Sequence, residues 1–126
     1  MRETEDAMPG GRITHVEFPA DDMERAKRFY AAVAGWEFQP MEGFPDYELF
    51  STDEQTGGAI GARGTSTGNS IRIFITVPDL ERARDAATAN GGTLVEDVTD
   101  VPGQGRYVVV HDPEGSEIAL WQNPSG

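Results

Sequence analysis

The sequence predicts an α+β domain: two tandem βαβββ modules forming a curved, cup-like mixed β-sheet with the helices on the outside. Three observations predict it. The segment Asp22-Met23-Glu24-Arg25-Ala26-Lys27 returns, displaced by 57 residues, as Asp79-Leu80-Glu81-Arg82-Ala83-Arg84, and the same displacement carries Gly35 onto Gly92 and Ala32 onto Ala89. A repeat near half the chain length marks two copies of one supersecondary unit. An alternating apolar/polar stretch precedes each copy, and three short strand-like stretches separated by turn residues follow it.

Each element has a local reason. In residues 13–18, Thr14, Val16 and Phe18 share one face and Ile13, His15 and Glu17 the other; in residues 70–77, Ile71, Ile73, Ile75 and Val77 oppose Arg72, Phe74 and Thr76. Asp22 and Asp79 are suited to accept the orphan N–H groups of a first helical turn. Behind them run apolar stripes, Met23, Ala26, Tyr30 and Val33 in one copy and Leu80, Ala83 and Ala87 in the other. The helices are expected to stop near Gly35 and Gly91-Gly92. Strands are then predicted over 36–39, 47–51 and 58–63, and again over 93–97, 106–111 and 117–122. The resulting organisation is a flexible tail over 1–11 and one domain over 12–126, with module one at 12–63, a linker at 64–69 and module two at 70–122.

Composition narrows the function. With 126 residues the chain holds one compact domain. Ten Lys and Arg against 22 Asp and Glu give a net charge of −12, which argues against nucleic acid as a partner. The acids are spread along the chain, as on a solvated surface, although such a surplus also attracts cationic ligands. Cysteine is absent, excluding disulfides, thiolate metal sites and a Cys nucleophile. Only two histidines, His15 and His111, are present, so one chain cannot make a three-His metal site. No apolar run reaches the length of a membrane span, and the polar start lacks the apolar stretch of a secretory signal. A cytoplasmic protein with no membrane partner is the expectation.

If the helices cover the faces bearing Val16, Phe18, Ile73 and Ile75, then His15, Glu17, Arg72 and Phe74 point into the concavity. On the last strand Ile118 and Leu120 take the core side, leaving Glu117, Ala119 and Trp121 inward. Ala59, Gly61 and Arg63 are their counterparts in the first module. The repeat relates His15 to Arg72 and Gly61 to Ala119 at the centre. Of these four only His15 is a metal donor, and an arginine repels a cation. No metal site is therefore expected; a displaced one would need His15, Glu17 and Glu117. Two other motifs carry no chemistry. Gly64-Thr65-Ser66-Thr67-Gly68 fits a nucleophile-elbow pattern but precedes a strand instead of a helix, and Gly103-Gln104-Gly105 lacks the third glycine and the helix of a dinucleotide loop.

In residues 13–17, 22–30, 35–38 and 112–120, arranged around the repeat, the chain resembles the vicinal-oxygen-chelate superfamily of glyoxalase I, bleomycin-resistance proteins and extradiol dioxygenases. The resemblance spans roughly residues 12–122. It implies metal ligands at His15, Gly61, Arg72 and Ala119, of which only the first matches, and it implies a homodimer.

Arg72 has two readings: a bidentate anchor for a ligand anion, or an ion-pair partner for Glu17 or Glu117. Arg63 has the same two. His15 is either a general base oriented by Glu17 or a hydrogen-bonded pocket histidine. Phe74 and Trp121 are candidate ligand walls, whereas Trp36 and Phe38 suit packing. Tyr47 and Tyr107 hold similar places in the two repeats, each a candidate to bring a hydroxyl into the cavity. His111 is read as solvent-facing.

The expected function is metal-independent binding or transformation of a small molecule, anchored by Arg72, His15 and Glu17 and lined by Phe74, Trp121, Arg63, Tyr107, Glu117, Gly61 and Ala119, with no cofactor. Any reaction would be proton transfer beside a carbonyl. Two alternatives stay open: a divalent-metal-dependent lyase, isomerase or dioxygenase using a displaced site that includes His15, and a protein that sequesters an antibiotic.

Overall fold

A computed structural model describes residues 10–53 and 56–124. The tail expected over 1–11 lies outside these residues except for Gly10 and Gly11. The described elements are β1 (Arg12–Ala20), α1 (Met23–Ala34), β2 (Gln39–Met41), β3 (Phe44–Ser51), β4 (Gly57–Ala62), β5 (Arg72–Thr76), α2 (Leu80–Ala89), β6 (Thr93–Val101), β7 (Gly105–His111) and β8 (Glu117–Gln122). The α+β class and the doubled βαβββ order are those predicted. The chain packs as two compact units, residues 14–73 and residues 74–124 with 10–13.

In the first unit the strands lie in the order β2-β3-β4-β1, with β4 antiparallel to β3 and parallel to β1. The Asp22 carboxylate accepts from Arg25 N at 3.0 Å to start α1, and Gly35 ends it in the left-handed region at φ 72°. Aromatic rings bind this helix to the sheet. The Phe18 ring is centred 5.0 Å from Tyr30, and Trp36 stacks on Phe50 at 3.9 Å and on Tyr30 at 5.4 Å. That stacking accounts for one departure from expectation. Trp36 and Phe38 precede the strand expected at 36–39, which begins only at Gln39, because their rings are committed to Phe50. A second departure is Val33, which is 68% exposed. Lys27, on the sheet-facing side, instead reaches Glu48 on β3 at 2.9 Å.

The expected linker is built into this unit. Ser66 Oγ donates to Pro45 O at 3.1 Å, and the buried Thr67 hydroxyl bonds to the carbonyls of Gly61, Ala62 and Gly68. Residues 64–69 thus fold back over the end of β4.

In the second unit the order is β6-β7-β8-β5, with β7 antiparallel to both β6 and β8. Asp79 caps α2 as Asp22 caps α1, accepting from Arg82 N at 3.0 Å. Leu80 and Ala83 on α2 pack with Val77, Val108, Val110 and Leu120, joined by Ile75 and Ile118, so Ile118 and Leu120 do face the helix. Ile73, expected under a helix, is 37% exposed, and Ile71 is exposed too. The principal contacts of α2 are with β6, β7 and β8. β6 runs to Val101, beyond the expected 97, and its pairing with β7 shifts register twice.

Candidate functional site

The face of the first unit opposite α1 carries a linked set of polar side chains. With Phe18 turned to the helix, strand alternation sends His15 and Glu17 to the other side. With Glu48 held by Lys27, the same rule sends Tyr47, Leu49 and Ser51 there too. Sheet pairing then sets Glu17 beside Ala59 and Tyr47 beside Gly61. Gly61 leaves room for the phenol: a Cβ there would lie 3.0 Å from Tyr47 Cδ1 and 2.5 Å from Thr67 Cγ2.

On this face the Tyr47 hydroxyl donates to Glu17 Oε2 at 2.6 Å and sits 3.0 Å from His15 Nε2. Arg72 Nη2 and Nε donate to Glu17 Oε1 at 2.7 and 3.2 Å. Glu17 is buried, at 4% exposure, so its charge is matched by the guanidinium and its second oxygen by the phenol. Burial, and then the positive charge of Arg72, push His15 down from 6.5 to about 4. At neutral pH the imidazole is uncharged. Arg72 is ion-paired with Glu17, one of the two partners expected for it.

Next to this network is a hollow of about 270 Å³ lined by His15, Leu49, Phe50, Ser51, Asp53, Thr56, Gly57 and Gly58. At the rim Asp53 Oδ1 accepts from Thr56 N at 2.8 Å. Sequence reasoning did not single out Ser51, Asp53 or Thr56. The alternation that carries Tyr47 inward also carries Ser51, but Asp53 and Thr56 lie outside the strands, where alternation says nothing.

Arg63 is held at the surface, pairing with Asp21 at 2.8 Å and donating to Asn69 O, and it is not part of this network. The remaining predicted residues belong to the second unit. Phe74 is buried with Val109 and Ala119, packed by Tyr107 and Trp121, on the sheet face that the α2 core does not use. The Tyr107 and Trp121 rings are nearly parallel, 6.4 Å apart. The Tyr107 hydroxyl donates to Glu96 at 3.1 Å, and Glu117 lies 3.3 Å from the half-exposed His111.

The donor set does not suit a bound metal. Gly61 and Ala119 have no side-chain donor, and both oxygens of Glu17 are already engaged by Arg72 and Tyr47. Among the described residues, no three His, Asp or Glu side chains gather to hold an ion. Nor is any described helix long and apolar enough to cross a membrane.

The profile of the glyoxalase-like domain matches residues 15–121. A glyoxylase-like domain-containing protein from Didymella fabae is 31% identical over 122 residues, covering 90% of this chain and 95% of its own length. Among solved structures, a glyoxalase/bleomycin resistance protein/dioxygenase superfamily member from Vibrio splendidus 12B01 aligns with a TM-score of 0.64 at 15% identity, over 90% of this chain and 99% of that one. A variant methylmalonyl-CoA epimerase from Streptomyces coelicolor, in complex with 2-nitronate-propionyl-CoA, gives 0.64 at 15% identity over 93% and 97%. The match covers most of the sequence, and the chain belongs to the glyoxalase-like domain family.

Proposed function

We propose that this protein binds a small polar molecule without a metal, in the hollow beside His15. The observation that carries the reading is that His15 lines the hollow while belonging to a network whose charges are already balanced by Arg72 and Glu17. Such a wall is preorganised: a ligand meets fixed hydrogen-bonding groups and need not separate an ion pair to enter. The volume lies just below the usual range for drug-sized ligands, roughly 300–1,000 Å³, which favours a small one. In the second unit, taken by itself, the Tyr107 and Trp121 rings beside the buried Phe74 are proposed as a separate stacking surface for a planar ring.

Binding is favoured over turnover by the chemistry of the same residues. A histidine held at about 4 is a weak base at neutral pH, below the range suited to general-base catalysis. The Arg72 charge is directed at Glu17, so holding a developing oxyanion would require it to share that partner. If the protein does turn over its ligand, proton transfer beside a carbonyl is the reaction these groups permit, with His15 or Glu17 as base. A cytoplasmic homodimer completes the proposal, and light scattering tests the assembly.

The functional test is a fragment screen by ¹H–¹⁵N NMR on wild-type protein and on His15→Ala, with elemental analysis of protein purified without chelator. Polar fragments shifting amides of residues 49–58 in the wild type and not in the variant support the reading. Binding that ignores His15→Ala overturns the proposed pocket, and a retained stoichiometric metal overturns metal independence.

A further inference from the structure

The hydroxyl of Tyr47 stands between two groups that each want its single proton. It lies 2.6 Å from Glu17 Oε2 and 3.0 Å from His15 Nε2. A phenol donates one hydrogen bond at a time, so one contact must run the other way. Glu17 decides which. Its Oε1 accepts two hydrogen bonds from the Arg72 guanidinium, so the group is the acceptor-only carboxylate, and the phenol proton goes to Oε2. The lone pair of Tyr47 then faces His15, and the 3.0 Å contact is a hydrogen bond only if Nε2 carries the hydrogen. Donation is therefore unidirectional: from imidazole to phenol to carboxylate, with the guanidinium fixing the far end. Each bond polarises the next.

We infer that Tyr47 is a positioning residue that fixes His15 in the Nε2–H tautomer, so that the Glu17–Arg72 pair dictates, through the phenol, which hydrogen-bonding character the imidazole brings to the hollow. The inference deepens the proposed binding function and rests on it for its biological meaning, but the tautomer is a property of the ligand-free protein. The network also explains why a tyrosine is needed on β3. Phenylalanine would fill the same space beside Gly61 without passing the polarity of the carboxylate on to the histidine.

The experiment reads the tautomer directly. Two-bond ¹H–¹⁵N correlations of the imidazole rings at pH 7 distinguish a protonated ring nitrogen from an unprotonated one, and His111→Gln assigns the His15 signals. In the wild type, Nε2 is expected to show the protonated shift and Nδ1 the unprotonated one. Glu17→Gln reverses the relay. Its carbonyl stays with Arg72, its NH₂ group donates to the phenol oxygen, and the phenol proton turns to Nε2, so His15 is expected to switch to the Nδ1–H form. Tyr47→Phe removes the acceptor, so the Nε2–H form no longer dominates. A wild-type protein with Nδ1 protonated overturns the inference, as does a folded Glu17→Gln with an unchanged tautomer. Should Glu17→Gln fail to fold, Tyr47→Phe decides by the same reading. Failure of the fragment screen with the tautomer as predicted would sink the binding function and leave this inference standing.

Discussion

Glu17 on β1 and Arg72 at the start of β5, 55 residues apart in sequence, meet through two hydrogen bonds to one carboxylate oxygen, the shorter 2.7 Å, and both side chains are largely shielded from water. Removing one partner leaves the other charge buried and alone, at a cost of about 3–5 kcal/mol. Arg72→Leu is therefore expected to lose stability of that order in urea unfolding. Glu17→Leu combined with Arg72→Leu, which removes both charges, is expected to recover a large part of the loss. A single variant within about 0.5 kcal/mol of wild type, the range of ordinary surface substitutions, would contradict the described burial.

His15 gives stability a pH dependence. In the unfolded chain it titrates near its ordinary 6.5; in the folded protein it is held at about 4. Between those values the unfolded state binds the extra proton, so stability is complete above pH 6.5, falls as pH drops from 6.5 through about 4, and loses no more from this group below that. The span corresponds to about 3 kcal/mol as an order of magnitude. His15→Asn should flatten this part of the profile, measured by urea unfolding at a series of pH values. An equal slope in variant and wild type would show that His15 is not held neutral.

Much of this site was legible in the sequence because strand alternation and the repeat are strong constraints. Together they carry His15, Glu17 and Arg72, whose place in the strand pattern is unambiguous. Alternation also brings Tyr47 to that face, but nothing in a single strand says that its hydroxyl ends 2.6 Å from a carboxylate on another. That depends on the pairing of Tyr47 with Gly61 and on a position without a Cβ. The hollow was less legible still, since Asp53 and Thr56 lie outside the strands, where no period applies. Trp36 suits a strand by pattern, yet its stacking on Phe50 decides where β2 begins.

Gly61 connects packing to the site. A methyl group there meets Thr67 Cγ2 at 2.5 Å and Tyr47 Cδ1 at 3.0 Å, so either the 64–68 turn or the phenol must move. Overpacking of this kind costs about 1–3 kcal/mol. Gly61→Ala is expected to lower stability in that range and also to shift the His15 ring signals in NMR, because the Tyr47 hydroxyl moves with its ring. Lost stability with unchanged His15 signals would mean that the turn alone yields.

The second unit holds an acid-sensitive pair that titrates in a different window. Arg106 on β7 grips Glu81 of α2 with both guanidinium arms, at 2.8 and 2.9 Å, and these bonds are the main cause holding Glu81 at about 2 against an ordinary 4.5. Here the folded group keeps its charge longer than the unfolded one. The stability it contributes is present above pH 4.5 and is lost as pH falls through about 2. The pair is open to solvent, so the effect is small and weakens with added salt. Because the windows adjoin without coinciding, two variants should separate them. His15→Asn removes pH dependence from 6.5 down to about 4 and leaves the lower limb. Arg106→Gln returns the Glu81 carboxyl toward its ordinary value, followed by carboxyl ¹³C titration, and leaves the upper limb. If Arg106→Gln does not move the Glu81 midpoint upward, the forked contact does not set it.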